Sequence, residues 1–287
     1  MCRFIAYTGA PIRMDDLIIK PKNSLIHQSV HAHQSDEPLN GDGFGIGWYM
    51  PDLDPYPGLF VSVRPAWNEQ NLQYMAPKIK SDCIFAHVRA ASQGNVNEFN
   101  CHPFHHDKYL FMHNGDIEDF GKIRRYLLDG LSDEAFNSIE GETDTEHLFA
   151  VFLDEVKKTN KPNLSPEEMT NALEKAIHYV QGLKKQYNAS PDSYINAAVT
   201  DGDVMVAIRY VSSPDLQASS LYYSEGAAYE CAGNMCRMRT DKDELAVLVV
   251  SEPLTSTHEW KEIPVNHILM VDRNLKPSLK VVESIVE

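Results

Sequence analysis

The chain has 287 residues, of which 26 are basic and 41 acidic, so its formal net charge is −15. Hydrophobic residues make up 43% and charged residues 23%, which excludes collagen-like, disordered and disulfide-scaffold proteins. An acidic surface repels phosphate backbones, so we expect no nucleic-acid partner. The five cysteines form no CxxC pair, which predicts reduced thiols in a cytoplasmic protein. The sequence contains no signal peptide and no apolar run of about 20 residues, so we expect no membrane partner.

The first part of the chain predicts strands around a glycine-rich segment. Residues 2–7 are apolar and end at Thr8-Gly9, which is typical of a strand, and residues 17–30 are predicted to be partly helical. Asn40–Tyr49 is a glycine-rich turn that leads into a strand. Further strands are predicted at residues 59–64, 82–89 and 108–113, with a loop at 95–107. The last of these strands is expected to end at Asn114-Gly115, a strong turn dipeptide.

The middle of the chain predicts helices, and the last hundred residues return to strands. Helices are expected at residues 119–128, 144–158 and 165–185, the last two with capping boxes at Thr143/Glu146 and Ser165/Glu168. Residues 194–210 are typical of a hairpin around Asp201-Gly202. Further strands are predicted at residues 221–223, 245–251, 267–271 and 278–282. Because strands and helices do not alternate regularly, the order favours one α+β domain with antiparallel sheets.

Cys2 is the first candidate for chemistry. If the initiator methionine is removed, the chain begins with a thiol and a free α-amine on one residue. The α-amine has an ordinary pKa of about 7.7–8.0, so it can accept the thiol proton and later protonate a leaving amine. Taken alone, Cys2 is more typical of a small buried residue in a strand than of a nucleophile.

Three further segments have side chains that suit an acyl-transfer site. The Asn114 amide and the Gly115 N–H can stabilise an oxyanion, although Asn-Gly is also a plain turn. Arg89 can hold a carboxylate with two parallel hydrogen bonds, or form an ordinary surface ion pair. Asp144 can bind an ammonium group, or simply complement the dipole at the start of a helix.

The order of these motifs closely resembles that of the class II glutamine amidotransferases, which are N-terminal nucleophile hydrolases. The residues that carry the resemblance are Cys2, the glycine-rich segment 40–48, Arg89, the Asn100–Pro103 stretch, His113-Asn114-Gly115 and Thr143–Glu146. The Met-Cys-Arg start and the glycine-rich segment are most similar to the stand-alone YafJ-like branch. The motifs cover residues 2–150, and the strand-rich residues 190–287 complete a single domain over 2–287.

The resemblance implies a fold and a set of site residues. The fold is a four-layer α-β-β-α sandwich with two antiparallel sheets. Cys2 is the nucleophile and its α-amine the base, while Asn114 and the Gly115 N–H form the oxyanion hole. Arg89 binds the α-carboxylate and Asp144 the α-ammonium of glutamine. Ser92 stands where many relatives have a threonine that helps to hold the substrate.

These roles predict a hydrolase of the glutamine γ-amide that forms a γ-glutamyl thioester and releases ammonia and glutamate. The same site suits γ-glutamyl peptides or γ-glutamyl amines, and a non-catalytic partner subunit is a second alternative. A separate enzyme that accepts the ammonia is a further partner that the resemblance leaves open, and the sequence does not define the oligomeric state.

We expect no cofactor and no metal in this site. The cluster of Cys101, His102, His105 and His106 matches no closed zinc site, and neither does the pair His31 and His33. Gly43-x-Gly45-x-Gly47 is not the GxGxxG pattern of a dinucleotide site, and its strand follows the glycines instead of preceding them.

Overall fold

The computed structural model describes residues 2–34, 38–91, 94–226, 229–232, 235–238, 245–256 and 260–283 of the chain. Its strands are β1 (Arg3–Arg13), β2 (Phe44–Met50), β3 (Asp54–Ser62), β4 (Lys80–Val88), β5 (Phe104–His106), β6 (Tyr109–Ile117), β7 (Ser193–Thr200), β8 (Met205–Val211), β9 (Tyr222–Gly226), β10 (Tyr229–Ala232), β11 (Met235–Met238), β12 (Ala246–Val250), β13 (Lys261–Glu262), β14 (His267–Val271) and β15 (Pro277–Val281). Its helices are α1 (Met14–Ile18), α2 (Leu25–Val30), α3 (Gln70–Met75), α4 (Phe120–Asp129), α5 (Asp133–Asn137), α6 (Asp144–Lys158) and α7 (Pro166–Gln186). None of the described helices is both long and apolar enough to cross a membrane.

Two antiparallel sheets form the centre of the molecule. Sheet 1 has seven strands in the order β13-β9-β12-β1-β4-β2-β3, and sheet 2 has six in the order β15-β14-β8-β7-β6-β5. Strands β10 and β11 form a separate hairpin. Each sheet combines early and late strands, since β1 pairs with both β4 and β12. This interleaving supports our proposal that residues 2–287 form a single domain.

Three apolar cores separate four layers, because successive side chains of a strand point to opposite faces. Phe4 of β1 and Met112 of β6 belong to the core between the sheets. Ile5, the next residue of β1, packs instead with α1 and α2 on the outer face of sheet 1. Phe111 of β6 stacks on Phe149 of α6, with ring centroids 5.2 Å apart, on the outer face of sheet 2. The predicted α-β-β-α sandwich with two antiparallel sheets is confirmed.

The helix-start signals are confirmed in part. The capping box at Ser165 and Glu168 is complete, and α7 begins at Pro166 as predicted. Thr143 caps α6 by accepting the N–H of Glu146 at 3.2 Å. The Glu146 carboxylate, however, accepts the backbone N–H groups that immediately precede the helix, at residues 140 and 141, so this second box is only half formed.

The predicted turn at Asn114-Gly115 is wrong, because β6 continues through both residues to Ile117. Pairing with β7 extends along this whole stretch, with Asn114 opposite Asn196 and Gly115 opposite Ile195. The sheet ladder therefore overrides the turn tendency of the dipeptide. The predicted loop 95–107 likewise contains the short strand β5, and the sequence analysis did not predict α3, α5, β10, β11 or β13.

The prediction that all cysteines are reduced is also wrong. Cys231 and Cys236 lie directly opposite each other in the β10–β11 hairpin, with Cα atoms 4.0 Å apart, and form a disulfide. Directly opposite residues of a hairpin bring their Cβ atoms close enough to be linked. Cys2, Cys83 and Cys101 are free thiols.

The glycine-rich segment brings the two sheets close together. A Cβ atom on Gly45 would lie 2.3 Å from the carbonyl oxygen of His102, and one on Gly47 would lie 2.6 Å from Leu110. Gly43 has a φ of +112°, and its Cβ would collide with the Cys101 sulfur at 2.7 Å. Alternating glycines therefore permit a close approach of backbones, which is a common reason for glycine within a strand.

A buried ion pair beside Cys2 connects β1 to the turn that follows β12. Arg3 Nε lies 2.7 Å from Glu252 Oε1, and both side chains are 1% exposed. Arg3 also donates from Nη1 to the carbonyl of Cys2 at 2.7 Å. The Glu252 carboxylate accepts the backbone N–H groups of His33 and Gln34 at 3.0 and 2.9 Å. One carboxylate therefore holds β1, the turn after β12 and the loop after α2.

The ion pair between Arg3 and Glu252 makes the free energy of unfolding depend on pH. Burial opposes ionisation of Glu252, but the N–H groups of Gln34 and His33 and the charge of Arg3 outweigh it and lower the pKa of this carboxyl. The folded-state pKa therefore lies below the unfolded value of about 4.3. This contribution to stability is fully present above the unfolded pKa and is lost as pH falls through the folded-state pKa.

We expect Glu252→Gln to lower the free energy of unfolding by about 3–5 kcal/mol at pH 7, because it removes one charge of a buried, hydrogen-bonded ion pair. The loss relative to wild type shrinks as pH falls below about 4. Urea unfolding of both proteins at pH 7 and pH 3.5 measures this difference. Glu225→Gln is the control, since Glu225 forms an exposed pair with Lys261 and its loss costs under about 1 kcal/mol. Equal losses in the two variants would contradict the prediction.

Candidate active site

Cys2 lies immediately before β1, against the end of β4. Its sulfur is 3.3 Å from the backbone nitrogen of Ala90, which donates to it, and 3.4 Å from the Ala90 carbonyl oxygen. The register explains this position, because Arg3 pairs with Val88 and the preceding residue therefore meets the segment after β4. The residue as a whole is partly exposed, while its sulfur lies against the segment after β4.

The surroundings of Cys2 do not by themselves ionise its thiol. Burial raises its pKa above the ordinary value, while the Ala90 N–H and the charges of Arg89 and Arg3 act in the opposite direction. Burial dominates, so the thiol is protonated at neutral pH. A nucleophile of this kind needs a base to accept its proton during attack.

Arg89 follows β4 and is 3% exposed. Its backbone is bonded on both sides to the glycine-rich segment, from its N–H to the Gly43 carbonyl at 2.9 Å and from the Asp42 N–H to its own carbonyl at 3.0 Å. Its Nη1 donates to the carbonyl of Asn95 at 3.1 Å. The guanidinium is thus held in a defined orientation. Ser92, which was also predicted to bind substrate, lies outside the described residues.

Asn114 and Gly115 lie side by side on β6. The Asn114 side chain is buried, yet neither its amide nitrogen nor its amide oxygen has a hydrogen-bond partner among the described residues. A buried amide without partners costs about 1–3 kcal/mol, so its persistence points to a functional role. A Cβ on Gly115 would lie 1.8 Å from the Tyr194 carbonyl oxygen, so no other residue fits there.

Asp144 is the first residue of α6 and is 5% exposed. Its Oδ2 accepts the backbone N–H of Ile117 at 2.9 Å, and its Oδ1 accepts that of Thr145 at 2.8 Å. The bond to Ile117 ties the start of α6 to the end of β6. A carboxylate in the first turn is also stabilised by the helix dipole.

The described candidates lie on or beside β1, β4 and β6, and β4 and β6 are in contact at one edge of the sandwich. Cys2 and Arg89 belong to sheet 1, whereas Asn114 and Gly115 belong to sheet 2, with Asp144 bonded to the end of the same strand. The two sheets are linked at this edge by His87 of β4, whose Nε2 lies 3.2 Å from the carbonyl oxygen of His113. Residues that are far apart in the sequence are therefore neighbours here.

The histidine and cysteine clusters of the sequence take other positions. His102 Nδ1 lies 3.0 Å from His87 Nε2, and burial holds the pKa of His102 well below its ordinary value. The sulfur of Cys101 faces the carbonyls of Ser62 and Asn97. Within the part of the chain that the structure describes, no three His, Cys, Asp or Glu side chains converge on a metal position.

The sequence analysis assigned no role to three buried side chains of this edge. They are His87, His113 and Thr145, with exposures of 0%, 2% and 2%. His87 stands two residues before Arg89, His113 precedes Asn114, and Thr145 follows Asp144. This adjacency is visible in the sequence, but the contacts among the three are not.

Comparison with known proteins identifies a matching family and several similar proteins. The sequence profile of the family described as glutamine amidotransferases class-II matches residues 24–283. The probable glutamine amidotransferase DUG3 of Saccharomyces cerevisiae is 40% identical over 293 residues, covering 95% of this chain and 82% of that protein. The γ-glutamyl-hercynylcysteine sulfoxide hydrolase of Mycolicibacterium smegmatis is 32% identical over 120 residues, covering 41% of this chain and 52% of that protein.

A solved structure agrees over the whole fold. The glutamine aminotransferase class-II domain protein from Silicibacter pomeroyi superposes with a TM-score of 0.69 at 26% sequence identity, covering 98% of this chain and 99% of that one. The family profile spans most of the chain, and a 40% identical relative matches 95% of it. The chain therefore belongs to the class II glutamine amidotransferases, which are enzymes with the N-terminal nucleophile hydrolase fold.

Proposed function

We propose that Cys2 is the nucleophile of an amidohydrolase that cleaves the γ-amide bond of glutamine or of another γ-glutamyl compound. The observation that carries the proposal is the buried Asn114 amide, which has no partner among the described residues. It lies on β6, next to His113, whose carbonyl oxygen is contacted by His87 of β4. A donor left unsatisfied in the resting protein is available to a charge that develops only during the reaction. The neighbouring Gly115 N–H is the second proposed donor.

The proposed reaction begins once the α-amine of Cys2 has been freed by removal of Met1. This amine takes the thiol proton, and the sulfur attacks the γ-carbonyl carbon to form a tetrahedral oxyanion, which Asn114 and Gly115 stabilise. When the oxyanion collapses, the carbon–nitrogen bond breaks, and the leaving amine receives the proton from the α-ammonium. The product is a γ-glutamyl thioester. Water then attacks the thioester carbonyl, releasing glutamate and returning a proton to the thiolate.

We propose that Arg89 and Asp144 bind the zwitterionic head group of the substrate, which consists of its α-carboxylate and α-ammonium. The Arg89 guanidinium suits a bidentate bond to the α-carboxylate, because both groups are planar and oppositely charged. Asp144 suits the α-ammonium, since its carboxylate is buried at the start of α6 and an ammonium group is a complementary hydrogen-bond donor. Ser92 is proposed to support the substrate on the family resemblance alone. These contacts require a free α-amino acid head and place no demand on the leaving group.

The leaving group therefore decides between two substrate classes. Glutamine releases ammonia, which a separate acceptor enzyme would have to use. A γ-glutamyl peptide or amine releases a different amine, and no acceptor enzyme is required for that product. The similarity to a protein named as a γ-glutamyl-hercynylcysteine sulfoxide hydrolase supports the second class as the alternative.

We expect Cys2→Ala to abolish glutamate release and covalent labelling by a glutamine-like diazoketone, because both require the sulfur. Cys83→Ala is the matched control: Cys83 is a free, buried thiol, and burial raises its pKa far above the ordinary range. The control variant should be labelled and active like wild type. Mass spectrometry of the labelled N-terminal peptide identifies the site. Glutamate release by Cys2→Ala at the wild-type rate would refute the proposal.

We expect Asn114→Leu to lower kcat by about 10²–10³-fold, since it removes one oxyanion donor. Its free energy of unfolding should not fall, because the amide makes no hydrogen bond to described residues that could be lost. Asn100→Leu is the contrasting variant, since the Asn100 amide accepts from Glu142 and donates to Asn95. It should lose about 1–3 kcal/mol of stability. Wild-type kcat in Asn114→Leu would exclude the oxyanion role.

We expect Arg89→Lys to lower kcat/KM at least tenfold, because an ammonium cannot form the bidentate bond to the α-carboxylate. The factor should be equal for glutamine and for γ-glutamyl dipeptides, since their head groups are identical. Steady-state glutamate release from both substrates measures the factor, with the exposed Arg237→Lys as control. Different factors for the two substrates would show that Arg89 contacts the leaving group instead.

A further inference from the structure

Three buried polar side chains each adjoin a group that the proposed mechanism uses. His87 lies two residues before Arg89, His113 immediately before Asn114, and Thr145 immediately after Asp144. They come from β4, β6 and α6, and therefore from both sheets and from the helix layer over sheet 2. Their side chains contact one another or the intervening backbone, so they form one connected chain.

His113 is the centre of this chain. Its Nε2 lies 3.1 Å from the Tyr194 carbonyl oxygen, and its Nδ1 lies 2.9 Å from the Thr145 hydroxyl oxygen. A carbonyl oxygen only accepts hydrogen bonds, so the geometry assigns the ring proton of the neutral imidazole to Nε2. Nδ1 then carries a lone pair and accepts the hydroxyl proton of Thr145.

Thr145 joins His113 to Asp144. Its hydroxyl oxygen is also 3.4 Å from Asp144 Oδ1, but the one hydroxyl proton goes to the nearer acceptor at 2.9 Å. Its backbone N–H donates to the same Asp144 oxygen at 2.8 Å. Through these bonds the Asp144 carboxylate has a defined position relative to the His113 ring.

His87 extends the chain to sheet 1. Its Nε2 lies 3.2 Å from the His113 carbonyl oxygen, which can only accept, so this nitrogen carries the ring proton. His102 Nδ1, at 3.0 Å, is a second acceptor that shares the same proton. The Nδ1 of His87 has no partner among the described residues, which suits an unprotonated nitrogen. Burial lowers the pKa of His87 to about 3, so it stays a neutral donor at physiological pH.

We propose that His87, His113 and Thr145 are positioning residues that set the spacing of Arg89, Asn114 and Asp144. The inference rests on the proposed function of those three groups. One small substrate must contact all three residues at once, through its carboxylate, its ammonium and its γ-carbonyl. A misplacement of one protein group by about 1 Å can lower the rate about 10²-fold. The hydrogen bonds that join the three positioning residues are buried, where a low local dielectric strengthens them and helps to hold such a geometry.

The kinetic test uses Thr145→Val, which removes the hydroxyl while keeping the shape of the side chain. The substrates are glutamine and glutaramate, which is glutamine without its α-amino group. We expect kcat/KM for glutamine to fall about 10- to 100-fold and that for glutaramate to fall much less, because only glutamine uses Asp144. Thr145→Ser, which restores the hydroxyl, should recover most of the glutamine activity.

Thr170→Val is the matched control, because Thr170 is also fully buried and its hydroxyl has no partner among the described residues. It should leave both substrates unaffected. Equal losses for glutamine and glutaramate in Thr145→Val, or no loss at all, would overturn the positioning role. Wild-type protein inactive on glutamine and on γ-glutamyl dipeptides would instead overturn the proposed function.

A spectroscopic test does not depend on activity. In ¹⁵N NMR spectra of histidine-labelled protein, we expect His113 to carry its proton on Nε2. Its unprotonated Nδ1 resonance should shift in Thr145→Val and stay unchanged in Thr170→Val. A proton on Nδ1 of His113, or a resonance that ignores the loss of the Thr145 hydroxyl, would contradict the network.

Discussion

The ion pair between Arg3 and Glu252 is the interaction on which the site depends most directly. Residues 249 positions apart meet in the interior, where each charged group bonds to the other and to neighbouring backbone groups. A buried pair of this kind adds little net stability, but losing either partner is costly. The contribution of the pair is positional. Because Arg3 is held in one place, the backbone of the preceding residue, Cys2, is fixed even though Cys2 is partly exposed. The adjacent bonds between Phe4 and Ser251 extend the same attachment along β1.

A second constraint is the contrast between satisfied and unsatisfied polar groups. Around the site, Asp144, Arg89 and His113 all have hydrogen-bond partners at 2.8–3.1 Å. The Asn114 amide, in the middle of this set, has none among the described residues. Neighbours that are held by their own hydrogen bonds cannot move to satisfy the Asn114 amide, so it stays unpaired at a cost that the rest of the fold offsets. This pattern is what an oxyanion site requires, since its donors must be oriented before the charge forms.

The sequence predicts those features that depend on short stretches of chain. The capping box at Ser165 and Glu168, the strand at residues 267–271 and the helix that begins at Asp144 are all found as predicted. The ordered motifs also predict which residues share the site, because that inference rests on family resemblance. Errors arise where a distant strand decides the local structure. Asn114-Gly115 stays extended because β7 pairs with it, and Cys231 meets Cys236 because a hairpin places them opposite each other. The ring of His87 reaches a carbonyl on the other sheet, which no local pattern can indicate.

The chain has a net charge of −15, yet the charged side chains that act on the Cys2 thiol are positive. Arg3 and Arg89 are both buried, and their charges oppose the rise that burial causes in the pKa of the Cys2 thiol. The same two cations would disfavour protonation of an α-amine on Cys2, because like charges repel at short range in a medium of low polarity. Arg3 and Arg89 therefore act in the same direction on both groups, because a nearby cation favours loss of a proton from a thiol and from an ammonium alike.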